Sequence, residues 1–158
     1  KLIKKDQIIL DLGCWPGSWL QYCKKNLQNT GFIVGIDTKE IKDIDIEFIK
    51  KDVFDSDIIE IIKKKSSKFD LILSDLAPKT TGFQDSEQSI ELAERALFIA
   101  EKLLKFNGNF VVKVFQGKDL NKFIDRLKKR FRFVKSNKPL ASKKTSKEIY
   151  IVCIAKRW

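Results

Sequence analysis

Three ionisable residues stand where strand-like apolar runs would otherwise leave no room for charge. Lys113 lies inside Phe110-Val111-Val112-Lys113-Val114-Phe115, Asp75 follows the run Phe69 to Ser74, and Glu148 precedes the run Ile149 to Ala155. An ammonium group in a buried strand is costly unless it is paired, so an isolated Lys113 would shift its pKa and neutralise. Brought together, one amine and two carboxylates satisfy one another and form a polar centre in an apolar sheet. Such a group can position a hydroxyl, remove its proton, or stabilise the negative charge that develops on its oxygen. A lysine with its ordinary pKa of about 10.4 is neutral only about once in 2,500 molecules at pH 7, so service as a base requires a lowered value. The alternative is a lysine that stays charged and orients the oxygen, and the residues alone leave both roles open.

The elements that would position these residues alternate along the chain. Short apolar runs at Gln7 to Leu10, Phe32 to Ile36, Ile46 to Ile49, Phe69 to Ser74, Asn109 to Phe115, Phe131 to Val134 and Ile149 to Ala155 read as strands. Between them, helical spacing predicts a helix capped by Ser18 and closed at Thr30-Gly31, and a second capped by Ser56. A long helix from Ser86 to Lys105, stopped by Asn107-Gly108, and another from Lys118 to Arg130 complete the pattern. A loop is expected from Ala77 to Asp85. The expected architecture is a three-layer α/β sandwich, one domain over 1–158, with a mostly parallel sheet between helices on both faces.

Composition removes several classes of function. The 158 residues include no histidine, which excludes Ser-His-Asp hydrolysis and two-histidine metal chemistry. Cys14, Cys23 and Cys153 show no C-x-x-C pairing, so neither a zinc site nor a disulfide framework is expected; small buried hydrophobes in a reducing compartment are. The apolar runs are far shorter than the roughly 20 residues of a membrane span, and a soluble, monomeric, cytoplasmic protein is expected, an organellar form being the alternative. The chain opens at Lys1 and contains no methionine, so its first residue is expected to lie downstream of the native start.

The net charge of +11 is concentrated. From Asn121 to Lys147 there are eleven Lys or Arg against Asp125 alone, with Phe123, Phe131 and Phe133 interleaved. This pattern predicts a surface that faces a polyanion, with Lys138, Lys143, Lys144 and Lys147 as candidate contacts close before Glu148.

In an open α/β sheet the ligand lies beyond the carboxyl ends of the strands where strand order reverses. The loop expected there is Asp11-Leu12-Gly13-Cys14-Trp15-Pro16-Gly17-Ser18-Trp19. It has neither the G-x-G-x-x-G of a dinucleotide fold nor the Gly-Lys-Ser/Thr of a P-loop; Gly13 and Gly17 instead allow close backbone approach without a phosphate nest. Asp37 at the end of the second strand can accept hydrogen bonds from ribose hydroxyls, and Asp52 after the third can accept one from an adenine amino group. A nucleoside without phosphates fits this pattern, and Trp19 is a candidate wall of its pocket.

Taken in order, Asp11-Leu12-Gly13…Pro16-Gly17-Ser18-Trp19, Ser74-Asp75-Leu76-Ala77-Pro78, Val111 to Gly117 and Lys147 to Val152 resemble the successive motifs of the FtsJ/RrmJ family. Its members are S-adenosylmethionine-dependent ribosomal RNA 2′-O-ribose methyltransferases. The resemblance covers essentially the whole chain. It implies a Rossmann-like methyltransferase fold with a seven-stranded sheet and an S-adenosylmethionine pocket lined by Gly17, Trp19, Asp37, Asp52 and Asp75. It also implies a catalytic Lys-Asp-Lys-Glu tetrad whose last three members are Asp75, Lys113 and Glu148. The first lysine of that tetrad would lie upstream of Lys1. The implied substrate is a uridine of large-subunit ribosomal RNA, free or in the large ribosomal subunit, with Lys138, Lys143, Lys144 and Lys147 as RNA-binding residues. The alternatives are transfer RNA, an mRNA cap, or an RNA-binding scaffold without turnover. Cys14-Trp15 stands where small residues are usual and Ser18 where a second glycine is common, so a narrower pocket mouth is expected.

Overall fold

The computed structural model describes residues 1–79, 84–140 and 143–158. Parts of the expected loop from Ala77 to Asp85 and of the basic segment therefore lie outside the described residues. The elements run β1 (Ile8–Leu12), α1 (Ser18–Leu27), β2 (Phe32–Asp37), β3 (Glu47–Lys50), α2 (Ile58–Lys63) and β4 (Phe69–Ser74). They continue with α3 (Asp85–Leu103), β5 (Leu104–Phe115), α4 (Leu120–Arg130), β6 (Phe131–Asn137) and β7 (Glu148–Lys156).

The seven strands form one sheet in the order β3-β2-β1-β4-β5-β7-β6. The strands from β3 to β5 are parallel, while β7 is inserted antiparallel between β5 and β6, so the expected mostly parallel sheet is found in mixed form. Strand order reverses between β1 and β4, which places the carboxyl ends of these two strands beside the β1–α1 loop.

Strand alternation divides the core between two faces. Leu10, Ile72, Phe110, Val112 and Ile151 point to the face packed by the apolar stripe of α3 and by Phe123 and Leu127 of α4. Ile9, Leu71, Leu73 and Val111 point to the other, where Leu20, Cys23 and Leu27 of α1 pack. The polar centre follows from this parity. Asp11 is two residues beyond Ile9, Asp75 two beyond Leu73 and Lys113 two beyond Val111, so all three project from the α1 face.

Three local expectations are corrected. Gly17, in the left-handed region at φ 115°, is the N-cap of α1, and Ser18 is its first residue without a capping hydrogen bond. Asp57 rather than Ser56 precedes α2, again with no side-chain cap. Asn107-Gly108 does not separate helix from strand. Strand β5 begins at Leu104, directly after α3, and pairs with Phe69 before a register shift. Lys105 anchors this early section by an ion pair to Asp70 at 2.8 Å, and Asn107 takes a positive φ of 60° in the irregular stretch.

Candidate functional site

The β1–α1 loop is held rigidly over the switch point. The N–H groups of Gly13 and Cys14 both donate to the Ile36 carbonyl of β2, at 2.9 and 3.1 Å. Gly13 has φ 75°, and a Cβ there would stand 2.9 Å from Leu76, so neither its conformation nor its surroundings accept a side chain. The N–H of Asp75 donates to the Leu12 carbonyl at 3.0 Å, which fastens the segment after β4 against the end of β1.

A cleft of about 200 Å³ opens here, lined by Asp11, Gly13, Cys14, Trp15, Pro16, Ser18, Trp19 and Asp75. Of the residues expected to contact a cofactor, Gly13, Trp19 and Asp75 line it directly. Gly17 is buried at the start of α1. The carboxylate of Asp37 accepts the N–H of Trp15 on one oxygen and that of Lys39 on the other, each at 2.9 Å, so it braces the loop with lone pairs to spare for a ligand. Asp52 is exposed on the β3–α2 loop and accepts the Phe54 N–H at 2.9 Å. Trp15, about half exposed, stands at the mouth with the Lys39 ammonium 4.1 Å from its ring centre.

Deeper in the cleft is a residue outside the expected set. Asp11 is only 1% exposed, and neither carboxylate oxygen has a hydrogen-bond partner among the described residues. Burial pushes its carboxyl well above the usual range, and the negative charges of Asp75 and Asp37 push it further. The signal was present in the sequence, since Asp11 is an ionisable group at the end of an apolar run, like Asp75.

Across β4 and β5 the structure brings the three expected residues together. The Lys113 ammonium is 3.1 Å from Asp75 Oδ1 and 3.9 Å from Glu148 Oε1, with its side chain 9% exposed. Register explains the convergence, because Lys113 pairs with Tyr150 and Phe115 with Glu148 across the antiparallel β5–β7 ladder. Tyr150 is a second member that the sequence reading missed. Its hydroxyl donates to Asp75 Oδ1 at 3.0 Å, and its ring centre lies 5.4 Å from that of Trp19. Burial raises the Tyr150 phenol well above its ordinary pKa, and the charge and hydrogen bond of Asp75 add to the shift, so it remains a donor. Alternation gives the clue: two residues past Glu148, an aromatic with a polar tip falls beside Lys113.

Lys138, Lys143, Lys144 and Lys147 are exposed. The Gln116 N–H donates to the Lys147 carbonyl at 2.8 Å, tying the basic segment to the end of β5 next to Glu148. Of the three interleaved aromatics, Phe123 and Phe131 are core residues, 1% and 2% exposed, and Phe133 alone faces solvent at 70%. The cysteines are free and buried, and burial raises the Cys23 thiol to about 12. Among the described residues no group of three or more His, Cys, Asp or Glu is placed to hold a metal ion, and no helix is long and apolar enough to cross a membrane.

The sequence and the fold are both similar to those of known proteins. The chain is 40% identical to Ribosomal RNA large subunit methyltransferase E of Bdellovibrio bacteriovorus, over 99% of its length and 83% of that protein. It is 39% identical to the protein of the same name from Methanocaldococcus jannaschii, over 99% of its length and 67% of that protein. A Plasmodium falciparum crystal structure, named as a candidate ribosomal RNA methyltransferase, superposes with a TM-score of 0.87 at 32% identity, covering 97% of this chain and 88% of that one. The model of the FtsJ-like methyltransferases matches residues 1–156, and the chain belongs to that family.

Proposed function

We propose that this chain transfers a methyl group from S-adenosylmethionine to a ribose 2′-hydroxyl of RNA, and that a uridine of large-subunit ribosomal RNA is the acceptor. The observation that carries the proposal is the Lys113 ammonium held 3.1 Å from Asp75 on the wall of the loop cleft. The names of the relatives, which specify large-subunit ribosomal RNA, support the choice of substrate.

The cleft fits the methyl donor. Asp11 is a buried carboxylate without a partner, and a ligand bearing a cationic ammonium and sulfonium offers what it lacks. Asp75 at the inner wall adds a second negative charge, Trp19 an apolar side, and Gly13 the close backbone approach, while Gly17 serves by turning the chain into α1. Asp37 and Asp52, at the ends of adjacent strands, are the acceptors for ribose hydroxyls and an adenine amino group. Bound there, S-adenosylmethionine supplies an electrophilic methyl on sulfur.

The chain's own residues then have two tasks, to position the acceptor oxygen and to manage its proton. Asp75 and Glu148 fix the Lys113 amine, and Tyr150, locked by Asp75 and Trp19, forms the adjoining wall. Lys113 acts on the hydroxyl either as the amine that accepts its proton or as the ammonium that orients the oxygen and stabilises its developing charge. The pH–rate profile distinguishes them: a base gives a rate rising to the pKa of the amine, an orienting ammonium a rate lost above it.

Large ribosomal subunits lacking the modification, transfer RNA and capped mRNA are each incubated with the chain and methyl-labelled S-adenosylmethionine, and label is sought in alkali-resistant dinucleotides. Label in large-subunit RNA alone is expected, with Lys113→Ala reducing turnover at least about a hundredfold. Turnover of the variant near that of the parent chain removes Lys113 from the chemistry; label only in another RNA reassigns the substrate.

A further inference from the structure

The basic segment described from sequence divides in three dimensions. Its later lysines flank Glu148, whereas its earlier residues build a separate surface on the outer strands. The β6–β7 register pairs Asn137 with Tyr150, Lys135 with Val152 and Phe133 with Ile154, and residues directly opposite share a face. Because Tyr150 in turn pairs with Lys113, this is the face that carries the Lys113 amine. It holds a hollow of about 820 Å³ with Val152 and Ile154 as its floor, Phe133 and Lys135 along it and Lys128 and Arg132 at its rim. Among the described residues no acidic side chain lines it. Phe133, Lys135 and Asn137 are exposed, and Val152 and Ile154 only half-buried. Lys128 has a 3.9 Å contact with exposed Asp125, and Arg132 lies 6.0 Å above the ring of exposed Phe106.

An exposed phenylalanine on an apolar floor, surrounded by cations, is the chemistry that holds a single-stranded nucleic acid: a base stacks on the ring while the phosphates meet Lys and Arg. Its position suits the active centre. From Lys113 to Phe133 is two strand spacings across and four residues along, about 17 Å. That distance spans no more than about five stacked nucleotides at roughly 3.4 Å each.

We infer that the β6–β7 face is a second RNA-binding site, where a nucleotide flanking the modified one stacks on Phe133 with its phosphates against Lys128, Arg132 and Lys135. This rests on RNA being the substrate, and it adds a fixed point that sets which nucleotide reaches Lys113. A flexible region around the acceptor is gripped at two places, and the sheet face between them measures the gap.

The test uses the full chain and a fluorescein-labelled, 15-nucleotide single-stranded RNA of mixed sequence carrying scattered 4-thiouridine. Affinity is read by anisotropy over a range of KCl without methyl donor, and photo-crosslinks are mapped to peptides. Phe133→Ala is expected to weaken binding about tenfold with little change in salt slope, and Phe133→Trp to restore it. The double change Arg132→Glu, Lys135→Glu is expected to lower the salt slope by about 1.4, and crosslinks are expected on β6. Binding of S-adenosylmethionine, measured by calorimetry, should be unaffected in all three variants and reports that they are folded. Unchanged affinity in Phe133→Ala, crosslinks confined to the segment before Glu148, or sedimentation at twice the chain mass with Phe133 protected each overturn the inference. The last result assigns the face to a second copy. Binding is read without methyl donor and so independently of the labelled-donor assay: crosslinks on β6 together with no labelled product in that assay would defeat the activity reading and leave this site standing, and labelled product without crosslinks on β6 would defeat only this site.

Discussion

Asp11 shows how a single side chain can be destabilising in the empty protein and useful in the occupied one. An unpartnered carboxylate in a buried cleft is costly, and its protonated form is the one the fold prefers. In the unfolded chain the same group titrates near about 3.9. The folded state therefore holds its proton to higher pH, and the associated stability is complete below the unfolded value and lost as pH rises through the folded one. Asp11→Asn keeps the neutral form at every pH. Thermal unfolding at pH 7.5 is expected to show the variant more stable by about 1 to 3 kcal/mol, with the gain vanishing towards pH 4. The same variant should bind S-adenosylmethionine at least about tenfold more weakly by calorimetry, and the parent chain should bind it more tightly as pH rises and Asp11 ionises. Stabilisation that persists unchanged at pH 4 would show that the carboxyl is not the origin.

At the scale of elements, the site depends on loops fastened to strands. Asp52 sits on the β3–α2 loop, which is pinned from α3 by Arg95: its Nε donates to the Val53 carbonyl at 2.6 Å and its Nη2 to the Asp55 carbonyl at 3.3 Å. The guanidinium also lies 5.7 Å from the ring of Phe54 and 5.0 Å from that of Phe98. Arg95→Ala is expected to cost about 1 to 3 kcal/mol of stability, and to raise the dissociation constant of S-adenosylmethionine severalfold by freeing the loop. Calorimetry alongside thermal unfolding checks both, and an unchanged constant would place Asp52 outside the ligand's reach. Arg95 could not be read from the sequence, because its partners are carbonyl groups forty or more positions away, and carbonyls leave no mark in residue type. Strands were far more legible. β2, β4 and β7 carry apolar runs bounded by charge, and their limits agree with expectation to within a residue or two. Helix starts also fell within a residue or two, but their capping did not, since Ser18 and Ser56 have the right chemistry for caps while the chain turns into α1 through Gly17 and into α2 through Asp57. The start of β5 was hidden for a related reason. Asn107-Gly108 is a turn signal by composition, yet the pairing of Leu104 with Phe69 and the Lys105–Asp70 bridge hold strand on both sides of it.

For the molecule as a whole, charge asymmetry is the dominant feature. The loop cleft gathers Asp11, Asp75 and, beside them, Asp37, while the segment from Asn121 to Lys147 holds nearly all of the net +11. On the proposed function, opposite fields would draw a cationic donor and a polyanionic acceptor to separate regions of the surface. Reversing Lys143 and Lys144 to Glu together should weaken RNA binding about tenfold or more and reduce the salt slope by about 1.4, leaving calorimetric affinity for S-adenosylmethionine unchanged. An unaltered slope would show that these lysines do not contact phosphate. The concentration of charge was readable from composition, but its division between the segment beside Glu148 and the β6–β7 face was not. That division depends on which lysines follow β6 into the loop and which lie on the strand and on α4, and on Phe123 and Phe131 turning inward while Phe133 turns out.

The insertion of β7 between β5 and β6 has a temporal consequence. The glycine loop, Asp11 and Asp75 all precede α3 in the chain, but Glu148 and Tyr150 belong to β7, which follows β6 and is needed to join it to the rest of the sheet. A nascent polypeptide can assemble the loop cleft before β7 has emerged, yet the cluster of Lys113 with Asp75, Glu148 and Tyr150 is complete only once that strand slots in between β5 and β6.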